Sequence, residues 1–238
     1  MALVTGASSG LGERFTEVLR EAGADVVVTA RRKDRLHGLA ERSGSIALPG
    51  DITSAEHRLA LAAAIEERFG RLDILVNNAG SSDDGYLQDQ TLDELRAVIE
   101  INLVAVLDLC RVMAPLLFAS DAASVINISS MYGVVASPGP MAAYNTTKGA
   151  LINLTRHLAA QWGERGVRVN ALAPGYFPTE MTGDLADPHL VRSIESRTLL
   201  KRTPLLEELD GPLLFLASDA SSYVTGHTLV VDGGWTSI

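Results

Sequence analysis

One cysteine in 238 residues leaves no intrachain disulfide to form, so the fold has to stand on its hydrophobic core. That residue, Cys110, sits among Leu107, Leu109 and Val112 and reads as a thiol on a packed helix face, which makes a cytoplasmic location the expectation. The five histidines (37, 57, 157, 189 and 227) have no ligand spacing, and neither His-Glu-x-x-His nor Cys-x-x-Cys occurs, so no metal site is expected. Basic residues are the minority: 20 Lys and Arg against 29 Asp and Glu leave a net charge of −9, which argues against a nucleic-acid partner, because that needs a clustered basic surface. Long apolar runs are lacking too, being broken by charge or proline, and the N-terminus passes from an apolar strand straight into a glycine turn. Neither a membrane span nor a leader peptide is expected.

What is present is an alternation. An apolar fraction of 47% is ordinary for a globular chain of this length. Short β-branched runs over 2–4, 25–30, 45–48, 72–76, 124–128, 167–172 and 228–231 read as strands. Helical patterns fill the gaps over 13–22, 33–42, 54–69, a long stretch from Thr91 interrupted near Pro115, 141–165 and 206–217. Near-continuous apolar strands alternating with helices predict an α/β doubly wound fold, a seven-stranded parallel sheet with helices on both faces, in one domain over 1–238. The stretch 175–203, holding Pro178 and Pro188, is the one long interruption and reads as a substrate lid.

The first strand runs into Gly6-Ala7-Ser8-Ser9-Gly10-Leu11-Gly12 and then a helix. Glycines there permit a tight turn, and the helix N-terminus offers N–H groups to a pyrophosphate. Enzymes that use NAD commonly carry an acid at the end of the next strand; here Ala30 is followed by Arg31 and Arg32, whose guanidinium forks suit a 2′-phosphate. NADP(H) is therefore expected over NAD(H). Fourteen residues after Ser130 comes Tyr144-Asn145-Thr146-Thr147-Lys148, a phenol and an ammonium on one helix face. A nearby cation lowers a tyrosine pKa and makes the phenol usable as a general acid or base.

Together with Asp51, Asn77-Asn78-Ala79-Gly80, Asn102, Ser130-x-x-Gly133 and Pro174-Gly175 with Thr179, these motifs resemble the short-chain dehydrogenase/reductase family, in order and over essentially the whole chain. The resemblance implies a Rossmann-type, NAD(P)(H)-dependent oxidoreductase that moves hydride between a nicotinamide and a carbonyl or secondary alcohol. It implies catalytic roles for four residues: Tyr144 trades the proton, Ser130 holds the substrate oxygen, Lys148 lowers the Tyr144 pKa, and Asn102 kinks its helix and holds a water behind Lys148. It puts the dinucleotide against Gly6, Ser8, Ser9, Gly10, Leu11, Gly12, Arg31, Arg32, Asp51, Ile52, Asn78, Ala79 and Gly80, with Asn77 packing the adenosine side. Tyr144, Lys148, Pro174, Gly175, Phe177 and Thr179 fall at the nicotinamide end. Substrate would meet Ser130, Tyr132, Tyr144 and Tyr176, in a pocket also walled by Met131, Val134, Val135 and Ala136.

Two departures from the family pattern stand out. The spacing from Ser130 to Tyr144 is one residue longer than usual, which loop 134–140 should absorb, and Ser9 stands where NADP-preferring members often carry a base. Four readings of the role compete. A small ketone, polyol or sugar-acid carbonyl leads, because 174–181 is similar to gluconate-type members. A 3-oxoacyl-(acyl-carrier-protein) reductase comes second: the segment before the fifth strand, 118–124, has no base to dock an acidic carrier, leaving only Arg165 and Arg168. A steroid or other hydrophobic alcohol is third, and a non-catalytic nucleotide sensor fourth. By resemblance, the glycine-rich segment 226–235 and the two long helices imply a homotetramer, with a homodimer as the alternative.

Overall fold

The computed structural model describes residues 1–238, apart from the Asp184 side chain. Seven strands, β1 (Ala2–Thr5), β2 (Val26–Thr29), β3 (Ile46–Ala47), β4 (Ile74–Asn77), β5 (Ser124–Ile128), β6 (Arg168–Pro174) and β7 (Thr228–Val231), form one parallel sheet in the order 3-2-1-4-5-6-7. The winding reverses between β1 and β4, so the loops leaving those neighbours diverge to opposite faces. A crevice opens there, above the C-terminal edge of the sheet.

Side-chain alternation along the strands divides the core. Leu3, Leu75, Val125 and Val169 point to the face covered by α3 (Ala55–Phe69), α5 (Ala105–Phe118) and α6 (Ala142–Trp162). Val4, Val76 and Ile126 point to the face covered by α1 (Gly10–Glu21), α2 (Lys33–Ser43) and α8 (Asp210–Ala217). Phe15 on α1 and Met113 on α5 are fully buried in the two layers. Helix ends follow local chemistry: the Ser54 side chain accepts from the His57 N–H at the start of α3, and Gly70 closes that helix in the left-handed conformation. Cys110 is a core thiol as expected, and burial pushes it up to about 12.

Two local expectations need correction. Pro115 does not interrupt its helix; α5 continues to Phe118, because packing of Met113, Leu116 and Leu117 outweighs one lost backbone hydrogen bond. The irregularity lies earlier, at the residue the resemblance names: α4 (Leu92–Ile99) passes into α5 through a π-helical turn, Glu100–Val104, that contains Asn102. The stretch 175–203 also holds more structure than its prolines imply. A 3₁₀ segment (Glu180–Leu185) leads into α7 (Pro188–Arg197), where Asp187 caps the helix and Pro188 occupies its first turn.

Apolar runs are longer in space than they look in sequence. The combined helix Leu92–Phe118 has 27 residues and a window of mean hydropathy 1.9, enough by length and composition to cross a membrane, though 44% of that window is buried inside the protein. Its middle carries Asp108, which pairs at 2.6 Å with the buried Arg58 of α3.

Leu75, at the centre of β4, is fully enclosed. Leu75→Ala is expected to lower the unfolding free energy by about 2–5 kcal/mol, read from denaturant titration.

Candidate active site

A cavity of about 520 Å³ lies along the C-terminal edge of the sheet, floored by the loops after β1, β4, β5 and β6. At one end the β1 turn presses against the β4 loop. Gly6 has φ +68°, and a Cβ there would stand 2.8 Å from the Ala79 Cα, so only glycine fits. Asn78 donates through its amide to the Thr5 and Gly6 carbonyls at 2.9 and 3.3 Å, pinning the turn from beneath. Ser9 caps α1 without a side-chain hydrogen bond, which leaves the first-turn N–H groups to an external acceptor. These residues fit the pyrophosphate of a dinucleotide: a close backbone cradle with donors facing outward.

At the other end, β5 and α6 bring three side chains together. The Ser130 hydroxyl accepts from the Tyr132 N–H at 3.1 Å and stands beside the Tyr144 phenol. Ser129 donates instead to the Lys148 carbonyl at 2.8 Å and ties the strand to α6. Gly133 allows that approach, since a Cβ there would lie 2.7 Å from the Lys148 carbonyl carbon. The Lys148 ammonium donates to the Ile128 carbonyl at 2.8 Å and lies 5.4 Å from the Tyr144 ring centroid.

The electrostatics differ from expectation. Burial pulls Lys148 down to about 8. Burial also pushes the Tyr144 phenol above its ordinary value, with the Ser130 hydroxyl opposing. Desolvation of the phenol is the larger effect in the protein without nucleotide, and the net direction is upward although the Lys148 ammonium stands close to the ring.

Nearly all the residues assigned by resemblance to dinucleotide or substrate do line the cavity. Gly12 is an exception: it packs beneath, where a Cβ would collide with the Gly6 carbonyl and the Asn78 amide. Asn77 is buried under the sheet edge and donates to the Asn127 side chain at 2.8 Å. Val134, Val135 and Ala136 lie outside the lining. Asn102 is fully buried behind the wall: its amide donates to the Ser81 carbonyl at 2.9 Å and the Thr147 hydroxyl at 3.1 Å, and accepts from the Ser81 N–H at 2.9 Å. Gly80 separates it from Lys148, where a Cβ would stand a tight 3.0 Å from the Asn102 side-chain oxygen and 3.6 Å from the Lys148 ammonium.

Sequence reasoning missed two supports. Asp83, buried in the β4 loop, accepts from the Ala143 and Tyr144 N–H groups at 3.0 and 2.9 Å, a carboxylate cap borrowed from another loop. Its position 61 residues upstream hid the relation. Trp235 packs edge-on against Tyr132 and Tyr176, whose hydroxyls meet at 3.0 Å, so the C-terminal segment buttresses the substrate wall.

A sequence model of the family described as Enoyl-(Acyl carrier protein) reductase matches residues 6–236. The chain is 38% identical over 241 residues to a gluconate 5-dehydrogenase of Gluconobacter oxydans, covering 99% of this chain and 94% of that protein. A short-chain type dehydrogenase/reductase from Mycobacterium marinum superposes with TM-score 0.91 at 35% identity, covering 99% of this chain and 94% of the other. The protein is a short-chain dehydrogenase/reductase.

Like other members, this short-chain dehydrogenase/reductase is an oxidoreductase that uses a nicotinamide cofactor, and the non-catalytic alternative falls away. It is 34% identical to a 3-oxoacyl-(acyl-carrier-protein) reductase of Thermotoga maritima over 98% of this chain and 96% of that protein. A gluconate 5-dehydrogenase from Burkholderia cenocepacia, solved with NADP and tartrate, superposes with TM-score 0.94 at 35% identity over 100% of this chain and 95% of that one.

Two outcomes follow from the site. Asp83→Ala is expected to lower stability by about 1–2 kcal/mol in denaturant titration, with Asp83→Asn milder because it keeps an acceptor. Between pH 8 and the ordinary lysine value of 10.5, the unfolded chain binds a proton that native Lys148 has released. Stability should therefore rise with pH across that window, relative to Lys148→Met, by on the order of 1–3 kcal/mol in the absence of added nucleotide.

Proposed function

We propose that the enzyme interconverts a small polyhydroxy or sugar-acid ketone and its secondary alcohol, with NADP(H) preferred over NAD(H). The observation that carries it is the convergence of the Ser130 hydroxyl and the Tyr144 phenol on one cavity wall, with the buried Lys148 ammonium behind. When bound, the nicotinamide supplies or accepts the hydride. Ser130 donates to the substrate oxygen and holds it. Tyr144 delivers its proton as that oxygen becomes an alkoxide, or removes it in the oxidative direction. Lys148, mostly protonated at neutral pH with its pKa near 8, keeps positive charge near the phenolate that remains.

Support for a hydroxylated substrate comes from the paired Tyr132 and Tyr176 hydroxyls on the lining, and from the gluconate 5-dehydrogenases among the relatives. The acyl-carrier alternative is weakened by the engagement of its candidate docking bases. Arg168 donates to the Leu216 and Ser218 carbonyls and the Ser221 hydroxyl, and Arg165 lies 4.2 Å over the Phe118 ring. Preference for NADP is supported by Ala30 in place of an acid and by Arg31 and Arg32 at the cavity rim, and three solved relatives contain NADP.

The same reading takes 1–238 as one catalytic domain, 175–203 as its lid and the cytoplasm as its location. It takes a homotetramer as the assembly, supported by the edge position of β7 and the exposed Leu92, Ile99, Val104 and Leu107 on α4, the π turn and α5.

Initial rates with NADPH and NADH against sugar acids, simple ketones and acyl thioesters test the proposal. Turnover of a keto sugar acid that falls about 10²–10⁴-fold in Tyr144→Phe is expected. Turnover confined to acyl thioesters would hand the function to the carrier-protein reading.

A further inference from the structure

Of the two arginines expected to receive a 2′-phosphate, Arg32 is already bridged by an acid of this chain, together with Arg35. Arg32 reaches back over the glycine turn, donating to the Ser8 hydroxyl at 3.1 Å and to the Ser9 hydroxyl. Its remaining fork donates to Glu180 at 2.7 Å, and the other oxygen of that carboxylate takes Arg35 from the first turn of α2. Glu180 belongs to the segment after β6, and its neighbour Thr179 lies over the turn, where its methyl would stand 3.2 Å from a Cβ at Gly10. Glu180 and Arg32 both line the cavity. Glu13 also acts on Arg35 but is itself paired with Arg42 at 2.6 Å.

We infer that Glu180 is an internal stand-in for the adenosine 2′-phosphate and sets the NADP-to-NAD ratio by competing for Arg32 and Arg35. The inference rests on the NADP reading above. A carboxylate and a phosphate make the same charge-assisted contacts with a guanidinium fork. The phosphate brings close to two negative charges and three acceptor oxygens, so it displaces the carboxylate at the cost of breaking the existing pairs. A dinucleotide with a free 2′-hydroxyl leaves those pairs intact. The arginines hold Glu180 down to about 2, so the competitor stays ionised across the working pH range. Arg32, Arg35 and Glu180 are all about half exposed, which keeps the exchange shallow and reversible.

The test is equilibrium titration of wild type, Glu180→Gln and Arg32→Ala with NADP+, NAD+, 2′,5′-ADP and 5′-AMP, read by calorimetry so that no turnover is required. Glu180→Gln should bind NADP+ and 2′,5′-ADP about threefold to tenfold more tightly, with NAD+ and 5′-AMP unchanged within about twofold. Unchanged or weaker NADP+ binding in that variant overturns the inference. An equal shift for both dinucleotides also overturns it, since that would be an effect on loop packing. Arg32→Ala separates the two levels: a loss of NADP+ affinity that spares NAD+ sustains the cofactor reading whatever Glu180 does, and no loss overturns the inference while leaving that reading on Arg31 alone.

Discussion

Backbone meets backbone where the turn after β1 passes the loop after β4, and the rest of the site is arranged around that contact. The Thr5 hydroxyl accepts from the Asn78 and Ala79 N–H groups at 3.0 Å each, while the Asn78 amide returns two hydrogen bonds to the turn. Glycine at positions 6 and 12 is what lets the two segments close to this distance. The contact fixes the edge of the crevice at the reversal of strand order, directs the start of α1 toward the cavity and holds Gly80 against Asn102 and Lys148.

The chemistry depends on holding α6 rigidly against the end of β5. Three unrelated devices do so: Asp83 caps the helix from the β4 loop, Ser129 bonds the Lys148 carbonyl, and Gly133 removes the side chain that would keep them apart. Lys148 then sits in a buried setting that costs its charge some stability but keeps it from bulk water. The consequence is an ammonium near neutrality in its titration beside a phenol that burial holds protonated. Such a pair is matched to delivering a proton and tolerating the anion left behind. The π-helical turn at Asn102 belongs to the same economy, since it carries a fully bonded amide into the wall behind the lysine.

At the adenosine end the protein is governed by exposed charge rather than by packing. Arg32 joins the glycine turn to the segment after β6, so phosphate recognition and the position of that segment share one side chain. The aromatic group of Tyr132, Tyr176 and Trp235 does the corresponding work on the substrate side, joining the loops after β5 and β6 to the C-terminus.

The strand and helix series, the glycine turn and the Tyr144–Lys148 spacing were legible in the sequence, because each rests on local periodicity or on residues within a few positions of each other. Position 130 belongs with them through its motif. The π turn was legible only as a family expectation at Asn102, and local propensity pointed to Pro115 instead. Tertiary structure alone decided that Asn77 and Gly12 pack beneath the cavity and do not line it. It also decided that Asp83 caps the catalytic helix and that Glu180 holds the two arginines, contacts spanning 61 and 148 residues. Direction of a pKa shift follows the same division. A neighbouring cation can be read from spacing, but burial and the carbonyl that engages Lys148 exist only once β5, α6 and the loops above them have come together.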